Sequence, residues 1–178
     1  MCDRMDPDHP GFFISATGQR YKLTLLNSYG PPGRNPTQIV VEFESECTGL
    51  LTAYASNIQI SFERCRDIFF EKGKNTIMTS FAASSAYNGI ALLERLRFSF
   101  TPLEEGTDLD YSLERTDRWK CKLVILNEPP KEDCISFYCN GCLMERAHLN
   151  RDEYHLNTRD SDKIRFVIGN RFYRIGKN

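Results

Sequence analysis

The chain lacks any long hydrophobic run. No apolar segment approaches the roughly 20 residues that a helix needs to cross a bilayer. The first ten residues are mostly polar, include two prolines, and contain no hydrophobic region of the kind found in secretory signals. We therefore expect an intracellular protein, cytoplasmic or nuclear, with no membrane partner.

An excess of charge of one sign is lacking as well. The 23 Lys and Arg residues and the 24 Asp and Glu residues leave a formal net charge of −1, so no global field draws nucleic acid to the chain. The basic residues near the C-terminus alternate with apolar ones, as on a solvated strand face: Arg159, Lys163, Arg165, Arg171, Arg174 and Lys177. Nucleic-acid binding is therefore the least favoured of the three functional hypotheses that the sequence suggests, and the other two follow below.

No motif of a known catalytic site stands out. The Gly/Pro-rich residues 27–36 lack the Gly-x-x-x-x-Gly-Lys-Ser/Thr pattern that cradles phosphates. The six acidic residues between positions 101 and 118 do not follow the spacing of a calcium loop, and we predict a solvated loop there. The sequence indicates no catalytic residue, no cofactor-binding residue and no small-molecule substrate.

An even set of cysteines is also absent. Seven cysteines, an odd number, together with the lack of an export signal argue against a disulfide framework and for a reducing compartment. We interpret the four scattered cysteines, Cys2, Cys47, Cys65 and Cys121, as buried small hydrophobic residues, because unbridged cysteine is among the most buried residue types.

Aromatic residues and period-two alternation, in contrast, are abundant. Twelve Phe and eight Tyr favour sheet, and apolar residues alternate with polar ones as in half-buried strands. The alternation predicts strands at Tyr21–Leu25, Ile39–Phe43, Ile58–Phe62, Thr76–Phe81, Leu92–Phe100, Trp119–Leu126 and Ile135–Tyr138. Gly169-Asn170 predicts a hairpin between Ile164–Ile168 and Arg171–Ile175.

The predicted fold is mainly β, an antiparallel sandwich or partly open barrel of about eight to ten strands, with a zinc-binding loop near the C-terminal third. Residues 1–11 are expected to form a flexible arm, and residues 12–178 a single β-rich domain with its Cys/His loop at 134–155. The Lys72–Asn75 turn predicts a hairpin. Residues 82–97 fit either a helix or a strand, because good helix formers are interrupted by Asn-Gly.

Four potential metal ligands fall within fifteen positions: Cys134, Cys139, Cys142 and His148. Two cysteines separated by two residues at a strand end can hold one zinc ion about 2.3 Å from each sulfur. His155 is an alternative fourth ligand. A filled set of four leaves no open coordination position, so the predicted zinc would be structural. The competing interpretation is a reduced cysteine pair in a turn with two surface histidines.

The spacing of the cysteines also poses a geometric condition. Cys134 and Cys139 lie five residues apart, so they point to opposite faces of a regular strand. A shared metal site therefore requires a bulge or kink between them. Otherwise Cys134 belongs to the core and the fourth ligand comes from elsewhere in the chain.

The segment Glu132–Cys142, Glu-Asp-Cys-Ile-Ser-Phe-Tyr-Cys-Asn-Gly-Cys, resembles part of the HECT-like proteins that bind ubiquitin-conjugating enzymes. In that family a strand runs into Phe-Tyr-Cys-x-x-Cys. Residues 58–70 are a weaker echo, with a β-stretch followed by Cys-Arg. The family's second Cys-x-x-Cys pair is absent here. The resemblance implies that Cys139 and Cys142 are metal ligands, and it transfers no catalytic cysteine.

These observations favour a non-enzymatic, zinc-stabilised domain that binds another protein, in a role linked to ubiquitin conjugation. The expected binding surface is an exposed strand edge or the loop around Tyr29. The alternatives are an enzyme of the ubiquitin-ligase type that uses a cysteine, and the nucleic-acid-binding β-domain described above.

Overall fold

A computed structural model describes residues 3–27, 36–55, 58–60, 67–82, 96–150, 153–159 and 161–175. The chain divides into two compact units, Met1–Pro102 (unit 1) and Leu103–Asn178 (unit 2). The described ranges contain seventeen strands and no helix. The prediction of a mainly antiparallel β fold is confirmed, although there are more strands than predicted. That residues 12–178 form a single domain remains a prediction.

Unit 1 contains strands β1 (Arg4–Met5), β2 (Phe12–Ile14), β3 (Arg20–Asn27), β4 (Pro36–Ser45), β5 (Gly49–Ala55), β6 (Ile58–Ile60), β7 (Asp67–Phe70), β8 (Gly73–Ala82) and β9 (Leu96–Pro102). A five-stranded antiparallel sheet has the order β1-β2-β3-β4-β8. In a second antiparallel group, β5 pairs with β6, β7 and β9.

Alternation along β3 and β4 separates the two faces of the five-stranded sheet. Tyr21 lies opposite Phe43 on the buried face, whereas Lys22 lies opposite Glu42 on the exposed face. Their ammonium and carboxylate groups are 3.7 Å apart. The strands that the sequence predicted from this alternation are therefore confirmed here.

Aromatic side chains from both groups of strands form the core of unit 1. The Phe43 ring lies 4.9 Å from that of Phe100 and 5.1 Å from that of Phe70, and both contacts are edge-to-face. The Tyr21 ring lies 5.2 Å from that of Phe98. Such contacts add to the hydrophobic gain from burying the rings, so the two groups of strands are packed against each other.

Unit 2 contains strands β10 (Glu104–Glu105), β11 (Tyr111–Asp117), β12 (Lys120–Ile125), β13 (Cys134–Cys139), β14 (Cys142–His148), β15 (Glu153–Asn157), β16 (Ile164–Ile168) and β17 (Arg171–Ile175). One run of paired strands has the order β10-β17-β16-β13-β14, and β11-β12-β15 form a three-stranded sheet. The pairing is antiparallel except between β10 and β17. The predicted β16–β17 hairpin is confirmed.

The core of unit 2 draws on both of these sets of strands. Leu123 of β12 and Phe137 of β13 are fully buried in one cluster with Phe166 of β16. The Phe166 ring stacks on that of Tyr173 at 4.8 Å. Because residues of both sets fill the same cluster, the three-stranded sheet and the run of five paired strands share one core.

The acidic stretch at 101–118 is not the solvated loop that the sequence predicted. Residues 111–117 form β11, which pairs with β12 along its length. Tyr111 and Leu113 pack against the core of unit 2, while Glu114 stays exposed. Two apolar side chains on one face are thus enough for a strand, since the charged side chains project to the other face or past its end.

The predicted hairpin at Lys72–Asn75 is wrong. The turn does connect β7 to β8, but β7 pairs with β5 and β8 pairs with β4, so the two strands belong to different sheets. All four residues of β7 are buried. Because the aromatic end of β7 fills the core between the sheets, the chain crosses from one sheet to the other at this turn.

Residues 3–11, predicted to be a loose arm, include β1 and make specific contacts. Asp3 accepts hydrogen bonds from the Tyr21 hydroxyl and the Phe98 backbone N–H. Of the ambiguous stretch 82–97, residues 83–95 lie outside the described ranges, as do 28–35 around Tyr29. Nowhere in the described ranges is a helix long and apolar enough to cross a membrane.

Candidate functional site

The Cys/His segment is a β-hairpin. β13 and β14 run antiparallel, with Cys139 opposite Cys142 beside the turn and Cys134 opposite His148 at the far end. The register shifts by one residue between Phe137 and Tyr138. The structure therefore brings the four predicted metal ligands together as two pairs, Cys139 with Cys142 and Cys134 with His148.

These two pairs do not converge on one point. Cys134 and Cys139 are the two ends of a six-residue strand, and five steps of about 3.3 Å separate them by about 16 Å. A zinc ion needs every sulfur ligand at about 2.3 Å. His155, the alternative ligand, lies on β15 opposite Lys122 and has its Nε2 3.3 Å from the Glu153 carboxylate.

The residues therefore do not fit one closed four-ligand site. Throughout the described ranges, no group of three or more His, Cys, Asp or Glu side chains is arranged to hold a metal ion. Zinc binding, and with it the role of Cys139 and Cys142 as metal ligands, stays a prediction that metal content has to test.

Hydrogen bonds with Asp162 and Lys163 hold the turn of the hairpin in place. Asn140 and Gly141 have φ angles of 50° and 86°, the left-handed backbone that Asn-Gly adopts in two-residue hairpins. The backbone N–H of Asn140 donates to the Lys163 carbonyl at 2.9 Å. The Asn140 side chain donates to Asp162 and accepts from the Lys163 N–H, both at 3.0 Å.

The environment of Cys139 favours its thiol form. Burial, and next the carboxylate of Asp162, raise the pKa of Cys139 from 9.0 to about 11. Asp162 itself has a lowered pKa, chiefly because it accepts a hydrogen bond from the Arg159 backbone N–H. The thiolate is the nucleophilic form of cysteine, so this environment does not favour Cys139 as the nucleophile of a ligase-type enzyme.

Trp119 occupies a place that the sequence did not predict. The sequence predicted it as the first residue of the strand Trp119–Leu126, but it precedes β12 in a turn and is 48% exposed. The Arg159 guanidinium lies 4.5 Å from its ring centre and that of Arg118 lies 5.3 Å away. Asp117 is the signal that would have indicated a turn, because its side chain accepts a hydrogen bond from the Trp119 backbone N–H at 2.7 Å.

Basic residues of the C-terminal hairpin are paired with carboxylates. Arg171 binds Asp108, and the Arg174 Nε lies 3.0 Å from the Glu105 carboxylate. Asp108 also accepts a hydrogen bond from the Tyr173 hydroxyl at 3.1 Å. Charge that is neutralised in this way attracts phosphates weakly, and the nucleic-acid hypothesis gains no support from these contacts.

Two of the scattered cysteines can be compared with their predicted burial. Cys121 is fully buried in the core of unit 2, as predicted, with its sulfur 3.1 Å from the Thr158 hydroxyl. Cys47 is exposed, contrary to the prediction, because it lies in the turn between β4 and β5. Cys2 and Cys65 lie outside the described ranges.

A groove of about 530 Å³ lies on unit 1. It is lined by Phe12, Gln19, Arg20, Lys22, Glu42, Phe43, Glu44, Lys74, Asn75 and Thr76. The lining contains cations and carboxylates together, and one pair of them, Lys22 and Glu42, is already in contact. The groove therefore has no charge preference that would select one class of small ligand.

The edge of the five-stranded sheet is the second candidate site. β8 is ten residues long, and within the described ranges β4 is the only strand that pairs with it. All ten positions of β8 pair with β4 without a bulge. The segment Thr76–Phe81 contains no charged residue and no proline, and Met78 is 71% exposed.

No protein-family model and no curated protein matches this chain. The resemblance of residues 132–142 to the HECT-like family therefore stays a prediction. The two candidate sites, the Cys/His hairpin and the edge of β8, are therefore argued from the geometry of the chain itself.

Proposed function

We propose that the chain is a non-enzymatic protein-interaction domain, built on packed antiparallel sheets in the manner of a β-sandwich, that binds an extended segment of another protein along β8. The observation that carries the proposal is the long, regular edge of β8. An edge strand presents a row of backbone N–H and C=O groups that a further strand can pair with, and several peptide-binding domains add a strand in this way.

The edge of β8 lacks most of the features that prevent strands from pairing with other chains. Charged side chains, prolines and bulges usually protect such edges. β8 has its only charged residue at Lys74, near its start, and its register is uninterrupted. A partner strand with alternating apolar residues and an acidic residue beside Lys74 would match this edge.

The resemblance of residues 132–142 makes a ubiquitin-conjugating enzyme the first partner to test. Zinc is not part of the proposed contact, because β8 belongs to unit 1 and the four candidate ligands belong to unit 2. The ligase-type enzyme remains the competing hypothesis, and capture of ubiquitin as a thioester on any cysteine of the chain would favour it.

The test replaces Met78 by lysine and measures binding of partner proteins by calorimetry. Met78 is 71% exposed, so we expect Met78→Lys to change the free energy of unfolding by no more than about 0.5 kcal/mol. Lysine on an edge strand opposes strand addition, and we expect at least a tenfold loss of affinity, about 1.4 kcal/mol.

Leu26→Lys is the matched control. Leu26 is exposed on β3, an interior strand of the same sheet. The variant therefore adds the same charge as Met78→Lys, but away from the edge. Equal losses from Met78→Lys and Leu26→Lys would place binding on the sheet face and contradict the edge proposal. Unchanged binding in both variants would exclude β8.

A further inference from the structure

Cys139 and Cys142 lie opposite each other beside the turn of the hairpin. They are directly opposite residues of β13 and β14 and flank the Asn140-Gly141 turn. Both are partly exposed. Because the turn has the backbone conformation of a two-residue hairpin connection, the two thiol-bearing residues are held in register by the fold.

Their spacing suits a disulfide. Directly opposite residues of antiparallel strands have Cα atoms about 4.5–5.5 Å apart, and disulfides join residues whose Cα atoms are about 4.4–6.8 Å apart. Cys134 has His148 as its cross-strand partner, so the far end of the hairpin offers no second thiol.

We propose that Cys139 and Cys142 are a modification site, a dithiol that a small disulfide of the glutathione type oxidises reversibly to an intramolecular disulfide. The thiolate of one cysteine attacks glutathione disulfide, forms a mixed disulfide and releases one glutathione. The second cysteine then attacks the protein sulfur of that mixed disulfide and releases the second glutathione. The two protein thiols lose two protons and two electrons, and glutathione disulfide takes them up as two thiols.

Oxidation also changes the contacts of the neighbouring segment. The Cys139 side chain hydrogen-bonds to Asp162, and this bond is lost when the sulfur no longer carries a proton. Asp162 also accepts the Arg159 N–H at 2.7 Å, and the Arg159 guanidinium lies over the Trp119 ring. A short series of contacts thus joins the cysteine pair to the one tryptophan of the chain.

The experiment equilibrates the purified chain in buffers with increasing ratios of glutathione disulfide to glutathione. Alkylation and peptide mass spectrometry then identify the bonded cysteines, while Trp119 fluorescence is recorded in the same samples. We expect a Cys139–Cys142 disulfide with the loss of two hydrogen atoms, a parallel change in emission, and reversal of both by dithiothreitol.

Three variants make the result specific. Cys139→Ser should stop at a mixed disulfide of Cys142 with glutathione, which shows that the second thiol resolves it. Cys134→Ser is the control and should still form the disulfide. Asp162→Ala should form the disulfide without the parallel change in Trp119 emission, because it removes the acceptor that joins Cys139 to Arg159.

Two outcomes would overturn the proposal. In the first outcome, Cys139 and Cys142 stay as thiols or form disulfides with other cysteines. This result counts at ratios of glutathione disulfide to glutathione that already glutathionylate the exposed Cys134. In the other, the chain as purified holds about one zinc ion and the pair resists oxidation until a chelator removes the metal. That second outcome would assign the pair to a metal site.

Discussion

At the scale of single residues, Asp3 shows how one side chain joins two strands that are distant in sequence. One of its carboxylate oxygens accepts the Tyr21 hydroxyl at 2.7 Å and the Phe98 backbone N–H at 2.8 Å. Tyr21 belongs to β3 and Phe98 to β9, so the carboxylate links the two groups of strands in unit 1. Burial and the hydrogen bond to Asp3 raise the pKa of Tyr21, which therefore stays a donor.

Asp3→Ala should lower the free energy of unfolding by about 2 kcal/mol, because it leaves two donors without their acceptor. Urea denaturation followed by circular dichroism measures the change. Asp3→Asn is the matched control, since its amide oxygen can accept both bonds, and we expect a clearly smaller loss. An equal loss in both variants would mean that the carboxylate charge, and not the acceptor, matters.

The second prediction at this scale concerns the thiol of Cys139. Because the Asp162 carboxylate raises the pKa of Cys139, Asp162→Asn should lower it and increase the thiolate fraction at any pH below about 11. The rate of alkylation of Cys139 by iodoacetamide between pH 7 and pH 9 should therefore rise. Burial, the largest cause, remains, so the pKa should stay above its usual range.

Cys134 supplies the internal control for this measurement. It lies about 16 Å from Cys139 along the strand, and its alkylation rate should not change in Asp162→Asn. Slower alkylation of Cys139 in the variant would show that Asp162 activates the thiol instead of holding it protonated.

At the scale of secondary-structure elements, β5 depends on a glycine at its first residue. A Cβ added to Gly49 would lie 2.7 Å from Cζ of Phe70 and would collide with the Thr101 carbonyl oxygen. Gly49 pairs with Phe70 on one side and with Pro102 on the other. The close approach of β7 and β9 at this point therefore requires that the residue has no side chain.

Gly49→Ala should lower the free energy of unfolding by about 1–3 kcal/mol, the usual cost of overpacking. The backbone oxygen cannot move aside as a side chain can, which favours the upper half of that range. Thr52→Ala, in the same strand and half-buried, is the comparison and should cost less. A neutral Gly49→Ala would show that β5 and β9 separate easily at their ends.

At the scale of the whole molecule, the chain has two compact units, and aromatic side chains are buried in each of them. A core built from fewer than about 80 residues rarely supplies more than about 3–5 kcal/mol of stability, and the residues from Leu103 to Asn178 fall within that size. We therefore keep the prediction of a single domain and expect the two units to unfold together.

The measurement is urea unfolding followed by circular dichroism and by the fluorescence of Trp119, which lies in unit 2. Coincident midpoints are expected, and Gly49→Ala, a change in unit 1, should shift both by the same amount. If the circular dichroism midpoint moves in Gly49→Ala while the fluorescence midpoint does not, the units are separate domains and the single-domain prediction is wrong.

The sequence by itself determined the strands that have one buried face. Tyr21 and Phe43 each lie between two charged residues, and each is buried in a strand as predicted. The hairpins at Asn140-Gly141 and Gly169-Asn170 were predictable for a local reason, since these residues tolerate the left-handed backbone that a two-residue turn requires. A period of two and a local turn conformation are properties of neighbouring residues, so they can be read along the chain.

Only the tertiary structure decided which strands pair and where side chains meet. The turn after β7 looks like a hairpin, but burial of Phe70 against Phe43 sends the next strand to the other sheet. The cluster of cysteines and histidine in sequence becomes two separated pairs, because an extended strand places its ends about 16 Å apart. Sequence proximity in a β-strand means distance in space, and the contacts across strands that make a site depend on register, which the whole fold sets.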